Sequence, residues 1–226
     1  MNTGRSNDTY VLWGAAHSLY TGKARSCLIK KGVPYRECWP SQPFYFTNVA
    51  PQVGMMVLPV LEAPDGTLVQ DTSAILDHLE QKFPRPRLDP ATPLQSAVAA
   101  LIGAYGSEAL LRPAMHYRWS YLERQREFLV AEFGRLISSS PSRSERAAAA
   151  APWMQAMNDY LPALGVGTET TPAIERSYED LLAVLDEHFL HHPYLLGGRP
   201  SSADFGLMAP LFAHLARDPY PATLMK

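Results

Sequence analysis

At 226 residues and 25.0 kDa the chain is long enough for one large domain or two small ones. Its 20 basic and 22 acidic side chains leave a net charge of −2, too weak a positive field for a dedicated nucleic-acid binder. A hydrophobic content of 46% beside 19% charged residues excludes wholesale disorder, and two cysteines, Cys27 and Cys38, are too few for a disulfide framework.

Met1–Thr9 is polar and carries no apolar run of the kind a secretory signal needs. The longest apolar-leaning stretch, Phe205–Ala216, is broken by Pro210 and His214 and falls short of the roughly 20 residues of a membrane span. A soluble, cytoplasmic protein is expected, with no nucleic-acid and no membrane partner. Proline is the outlier of the composition, at 20 residues, roughly 9% against about 5% in average chains.

Tyr10–Trp13 reads as a short buried strand, and Lys23–Lys31 as a helix with Ala24, Cys27 and Leu28 on its apolar face. Gly32 and Pro34 close that helix, and Tyr35–Trp39 is expected as a second strand parallel to the first. Pro40–Met56 has three prolines and no clean period, so an irregular loop is expected there. Val57–Leu61 and Thr67–Val69 flank Pro64-Asp65-Gly66, the signature of a hairpin. A helix follows from Asp71, with Ile75, Leu76, Leu79 and Phe83 on one face and Pro84 at its end.

Residues 84–93 hold four prolines and read as a stiff connector. Beyond it only helical patterns occur: Leu94–Leu111, Trp119–Ile137, Arg143–Leu161, Ile174–His191 and Ser202–Arg217. The expected organisation is an α/β domain over residues 1–85 and an all-helical domain over 94–226.

GxSxG, HExxH, CxxC and GxGxxG are all absent, and Gly22-Lys23 lacks the upstream glycine and the following hydroxyl of a phosphate-binding loop. No metal site is expected: the imidazoles of His188, His191 and His192 share one helix end but have no companion cysteine or carboxylate cluster. Three stretches of the first domain carry chemistry instead. His17–Lys23 puts the hydroxyls of Ser18, Tyr20 and Thr21 at a helix N-terminus, a setting that stabilises an anion, though plain capping accounts for a serine there too. Leu58-Pro59 heads a strand, where a cis bond would turn the Leu58 backbone toward an extended ligand and a trans proline would simply open an edge strand. Asp71-Thr72 opens a helix, with Thr72 expected as N-cap; together they complement the ammonium and carboxylate of an α-amino acid.

The run from the first strand through S-x-x-x-x-K-x-R, L-P-x-L, Asp65-Gly66 and Q-D-T-S-A-I-L resembles the N-terminal domain of cytosolic glutathione transferases. Ser201-Ser202-Ala203-Asp204 resembles the capping box of that family's helical domain. The resemblance implies a thioredoxin-like α/β domain joined to an all-α domain, the glutathione transferase fold. It implies glutathione as co-substrate, with Ser18 on its sulfur and Tyr20 or Thr21 as alternatives. Leu58 and Pro59 would hold the cysteinyl backbone, and Asp71 and Thr72 the γ-glutamyl head group. A substrate pocket for a small hydrophobic electrophile or peroxide would be lined by Trp13, Tyr105, Met115, His116, Tyr117 and Trp119. Detoxification by a homodimer is implied, with a non-catalytic binding or interaction module as the alternative.

Three departures from the family pattern stand out. Met55-Met56-Val57 replaces the lysine or glutamine that meets the glycyl carboxylate, leaving Gln42, Asn48 and Gln52 as substitutes. Leu19 replaces the proline after the serine. Ser138–Pro172 is longer than the usual connection, and the chain stops at Lys226, where members often continue with further helical sequence. A cysteine-type mechanism is rejected, because Cys27 lies nine residues beyond Ser18 on the buried face of its helix.

Overall fold

A computed structural model describes residues 8–54 and 57–225. Met55 and Met56, and with them the expected departure at the glycyl subsite, lie outside the described residues, as does most of the polar start, residues 1–7.

The N-terminal part runs β1 (Tyr10–Trp13), α1 (Leu19–Lys31), β2 (Tyr35–Cys38), α2 (Ala50–Val53), β3 (Val60–Glu62), β4 (Leu68–Gln70) and α3 (Thr72–Lys82). The strands form one mixed sheet in the order β2-β1-β3-β4. β1 pairs parallel with β2 from Tyr10 opposite Tyr35, while β3 is antiparallel to both β1 and β4. Every residue of β1 is buried because both sheet faces are covered. Tyr10 and Leu12 pack with Ala24, Cys27 and Leu28 of α1 and Ile75, Leu76 and Leu79 of α3. Val11 and Trp13 point the other way, onto Tyr45 and Val49.

That second cover corrects one expectation. Residues 45–53 are not an irregular loop: Tyr45–Val49 forms a π-helical turn that runs into α2. Pro51 is compatible with helix because it sits in the first turn, where its missing N–H is not needed. Tyr45 and Val49, one helical turn apart, are the buried anchors, and the Tyr45 hydroxyl donates to the Val57 carbonyl at 2.8 Å.

After the proline-rich segment come α4 (Pro93–Ala104), α5 (Leu111–Trp119), α6 (Arg126–Ile137), α7 (Arg143–Asp159), α8 (Thr171–His191) and α9 (Ser202–Pro210). α4 and α5 are one helical stretch joined by a π-helical turn, Tyr105–Ala109, so the helix expected to stop at Leu111 continues to Trp119. The helix expected from Trp119 instead begins at Arg126. Gln125 explains the break: its amide Nε2 donates to the carbonyls of Tyr117 and Arg118 at 2.9 and 3.0 Å, closing the end of α5.

The stretch Pro93–Trp119 is long and apolar enough to cross a membrane, which overturns the expectation that Phe205–Ala216 is the longest apolar run. Its second half is nevertheless seated in the fold, with Pro113–Trp119 buried throughout. Its first half crosses α9 at very close range. A Cβ on Gly106 would lie 2.3 Å from the Gly206 carbonyl oxygen, and one on Gly206 would lie 2.7 Å from the Gly103 Cα. Glycine at these positions lets the two backbones touch. α9 also packs along α1, so this crossing joins the helical region to the sheet domain.

α9 opens with the expected capping box. Asp204 accepts from the Ser201 backbone N–H and hydroxyl at 2.8 and 2.9 Å, and from the Leu195 N–H at 2.9 Å.

Candidate active site

Where the sheet domain meets the helical region, a cleft of about 360 Å³ opens. Its wall is built from four places in the chain: Tyr20 and Lys23 of α1, Val57-Leu58-Pro59 ahead of β3, Gln70-Asp71-Thr72-Ser73 at the β4–α3 junction, and Ser107-Glu108 of the π-helical turn. Leu58, Pro59, Asp71 and Thr72, expected as ligand contacts, therefore share one cavity. The Leu58–Pro59 peptide is cis, as is Arg85–Pro86.

Asp71, not Thr72, is the N-cap of α3. Its Oδ1 accepts from the N–H groups of Ser73 and Ala74 at 2.7 and 3.3 Å. Among the described residues it is the one non-glycine with positive φ, at 71°. An aspartate tolerates that conformation better than most residues because its short side chain bonds locally. The bend is what makes Asp71 the cap and leaves Thr72 as the first helical residue, buried against the wall. The carboxylate thus stands at the positive end of α3.

Lys23 is 8% exposed, with its ammonium 3.4 Å from the Ser107 hydroxyl. Burial lowers its pKa, while Asp71 and Glu108 act in the opposite sense. Tyr20 donates to the Ser107 carbonyl at 3.4 Å, and burial, with Glu108 and Asp71 beside it, raises its pKa, so it stays a phenol. The cavity therefore presents one ammonium, two carboxylates, three alcohols, a phenol and a helix N-terminus within one wall.

Ser18 caps α1, accepting from the Thr21 N–H at 3.4 Å, and is half-buried outside the residues that line the cleft. Accepting through a lone pair leaves its O–H free to donate. Thr21 is removed from the site: it is fully buried, its Oγ1 accepts from the Ala15 N–H, and its methyl lies where a Cβ on Gly14 would be. Cys27 is buried in the sheet core, which pushes its thiol up to about 12.

The six residues expected around a hydrophobic substrate stand apart from this cleft, and none of them lines it. Trp13 lies in the sheet core, its indole N–H donating to Glu62 at 2.9 Å. Met115 and Trp119 belong to the core of the helical region, and Tyr117 packs against Tyr178 and Leu215. His116 is buried between Ser120 and Glu175, 2.9 Å from each. Tyr105, at 40% exposed, stands at the surface. Aromatic side chains carry so much apolar area that packing claims them first, and a sequence does not distinguish that from a pocket wall. Asn48 and Gln52 are likewise engaged within the segment over the sheet.

Lys23, Gln70, Ser73, Ser107 and Glu108 join the wall without having been expected. Lys23 had a signal, as the lysine of the S-x-x-x-x-K-x-R run. Ser107 and Glu108 had none, because only the docking of the helical region brings them there.

The model of the glutathione S-transferase N-terminal domain matches residues 12–87. Among curated proteins nothing matches. Among solved structures, a glutathione S-transferase from Rhodospirillum rubrum F11 is similar at 20% identity and a TM-score of 0.58, covering 94% of this chain and 82% of that one. A beta-etherase from Sphingobium sp. strain SYK-6 is similar at 19% identity and a TM-score of 0.59, covering 96% and 88%. A glutathione S-transferase from Methylobacterium radiotolerans in complex with glutathione sulfonate is similar at 22% identity and a TM-score of 0.51, covering 96% and 88%. The match over residues 12–87 places that domain in the glutathione S-transferase family, and the chain as a whole has the glutathione transferase fold.

Proposed function

We propose that this protein is a glutathione transferase that binds glutathione in the Leu58–Asp71 cleft and activates its thiol. The observation that carries the reading is the charge pattern of that wall. Asp71 offers a carboxylate to the γ-glutamyl ammonium, while Thr72, the α3 N-terminus and Lys23 offer donors to the γ-glutamyl carboxylate. Leu58 and Pro59, on the adjoining wall, face the cysteinyl unit. The relative that binds glutathione sulfonate supports the same ligand class.

The chemistry asks for a modest stabilisation. A free thiol of pKa about 8.5 is only a few per cent thiolate at neutral pH. Lowering that value by about two units takes about 2.7 kcal/mol. A hydroxyl donating to the anion contributes about 1.5–3 kcal/mol, and a helix N-terminus about 0.3–1 kcal/mol. Ser18 at the start of α1 combines both. Tyr20, held as a phenol on the wall, is the alternative donor, provided its O–H turns from the Ser107 carbonyl to the sulfur. The thiolate then attacks a small hydrophobic electrophile: the C–S bond forms with the sulfur pair, and the leaving group departs with the electrons of its own bond.

The second reading, a glutathione-binding module without catalysis, draws support from Ser18 lying outside the cleft lining while already serving as a cap. Two measurements separate the readings. Calorimetry is expected to detect glutathione binding at or below millimolar concentration, and no binding there removes both. The absorbance of bound thiolate is expected to appear at higher pH in Ser18→Ala than in wild type. A titration unchanged in Ser18→Ala but moved in Tyr20→Phe transfers the role to Tyr20, and one at the pH of free glutathione in wild type supports the module.

The proposed division of the chain falls within residues 84–93, between domains 1–85 and 94–226. Homodimerisation through α4 is part of the proposal, since Leu94 and Leu101 are 75% and 72% exposed there. Light scattering at twice the monomer mass tests it, and a monomer contradicts it. A reducing, cytoplasmic setting fits two unpaired cysteines, and detoxification fits the reaction class.

A further inference from the structure

A guanidinium lies buried where the helical region meets the Ser18 turn. Arg118 of α5 is 2% exposed, and the carboxylate of Asp218 opposite it is fully buried. All five guanidinium N–H groups are engaged. Nε and Nη2 hold the two oxygens of Asp218 at 2.6 and 2.8 Å, and Nη2 also donates to the Ala213 carbonyl at 2.7 Å. Nη1 donates to His214 Nε2 at 2.9 Å and to the His17 carbonyl at 3.0 Å. His214 can accept there because its Nδ1 donates to the Ala114 carbonyl at 3.2 Å, which fixes the neutral tautomer. Burial and the adjacent Arg118 hold His214 well below the ordinary imidazole range.

Four of these five bonds stay within the helical region. The fifth crosses to His17, whose next residue is Ser18. The bond uses the His17 backbone, not its ring: ring Nδ1 lies 3.5 Å from the Glu132 carboxylate, and the ring lies against Phe133 at 4.9 Å between centroids. A buried ion pair contributes little net stability beyond that of apolar residues of the same shape. Its planar fork does supply direction, which an apolar contact lacks.

We propose that Arg118 is a positioning residue. Aimed by Asp218 and His214, its remaining N–H fixes the His17 carbonyl and thereby sets the direction in which the Ser18 hydroxyl faces the ligand sulfur. The proposal rests on the reading that Ser18 meets the thiol. It makes the helical region part of the activating apparatus although none of its side chains touches sulfur.

The test uses the full-length chain carrying Arg118→Met together with Asp218→Leu, which removes the pair as a pair and so avoids stranding one buried charge. Hydrogen exchange at the Thr21 and Gly22 amides, both bonded to Ser18, is expected to speed up about tenfold or more, the loss of one charge-assisted bond. The Ser73 and Ala74 amides, bonded to Asp71 across the cleft, serve as internal reference and are expected to stay unchanged. With glutathione bound, the thiolate absorbance is expected to shift to higher pH, toward the value in Ser18→Ala, while glutathione affinity stays within about twofold because the head-group contacts are intact. Unchanged exchange at Thr21 and Gly22 in the folded variant overturns the proposal, as does a thiolate titration identical to wild type when Ser18→Ala shifts it. Absence of glutathione binding in wild type removes the functional reading instead, and the exchange arm still decides whether Arg118 holds the turn.

Discussion

At Asp71 one side chain caps α3, tolerates a left-handed backbone and faces the ligand cleft. These roles separate by substitution. Asp71→Asn keeps the cap acceptor and the tolerance of positive φ, so its unfolding midpoint is expected close to wild type. Its glutathione affinity is expected to fall about tenfold or more, since the ammonium loses a charged partner. Asp71→Ala loses the cap as well, and about 0.5–2 kcal/mol of stability with it. Equal affinity in Asp71→Asn and wild type, read by calorimetry, contradicts the assigned contact. Cys27 gives a second check at this scale. A thiol pushed up to about 12 in a sheet core is inert, so mass-resolved alkylation at pH 8 is expected to leave Cys27 unmodified in the native chain. Modification within minutes would exclude the buried placement. That Asp71, Thr72, Leu58 and Pro59 come together in one cavity was legible in the sequence, because a proline at a strand head and an acid–hydroxyl pair at a helix start mark their places locally. Ser107 and Glu108 were not, because their place in the wall depends on how another helix docks.

Among the elements, the crossing of α9 over the π-helical turn between α4 and α5 fixes where Ser107 and Glu108 stand. Gly103, Gly106 and Gly206 set that distance, and Gly206→Ala would put a Cβ 2.7 Å from the Gly103 Cα, where backbone cannot yield cheaply. Its cost is expected at about 1–3 kcal/mol in urea unfolding, with weakened glutathione binding as the wall shifts. A loss below about 0.5 kcal/mol would show that the crossing is loose. The strands, α1, α3 and the α9 capping box followed from periodicity and end signals that act within a few residues. The failures depended on partners that no periodicity or end signal marks. The turn at Tyr45–Val49 is helical because the sheet's second face needs cover. The break before Arg126 has neither glycine nor proline to announce it, and is made by the Gln125 side chain folding back on α5.

For the whole molecule, the junction between the sheet domain and the helical region is polar as well as apolar, and that makes stability depend on pH. Burial lowers the pKa of His17 and of His214, so both stay neutral in the folded chain while the unfolded chain protonates them below about pH 6.5. Stability from this source is present above that value and is lost as the pH falls below it. Glu132, held low chiefly by His17, with Arg217 and Arg135 also lowering it, adds a loss of the same sign below the ordinary glutamate range. The urea midpoint is therefore expected to fall steadily from pH 7 to pH 4, and a midpoint rising over that interval contradicts the buried neutral histidines. The same junction holds the cleft on which the functional reading stands. A crystal structure of the protein with glutathione tests that reading most directly. The γ-glutamyl head group is expected between Asp71, Thr72 and Lys23, with the cysteinyl backbone beside Leu58 and the sulfur within hydrogen-bond distance of the Ser18 or Tyr20 hydroxyl. Glutathione lodged elsewhere, or an empty cleft at saturating ligand, would contradict it.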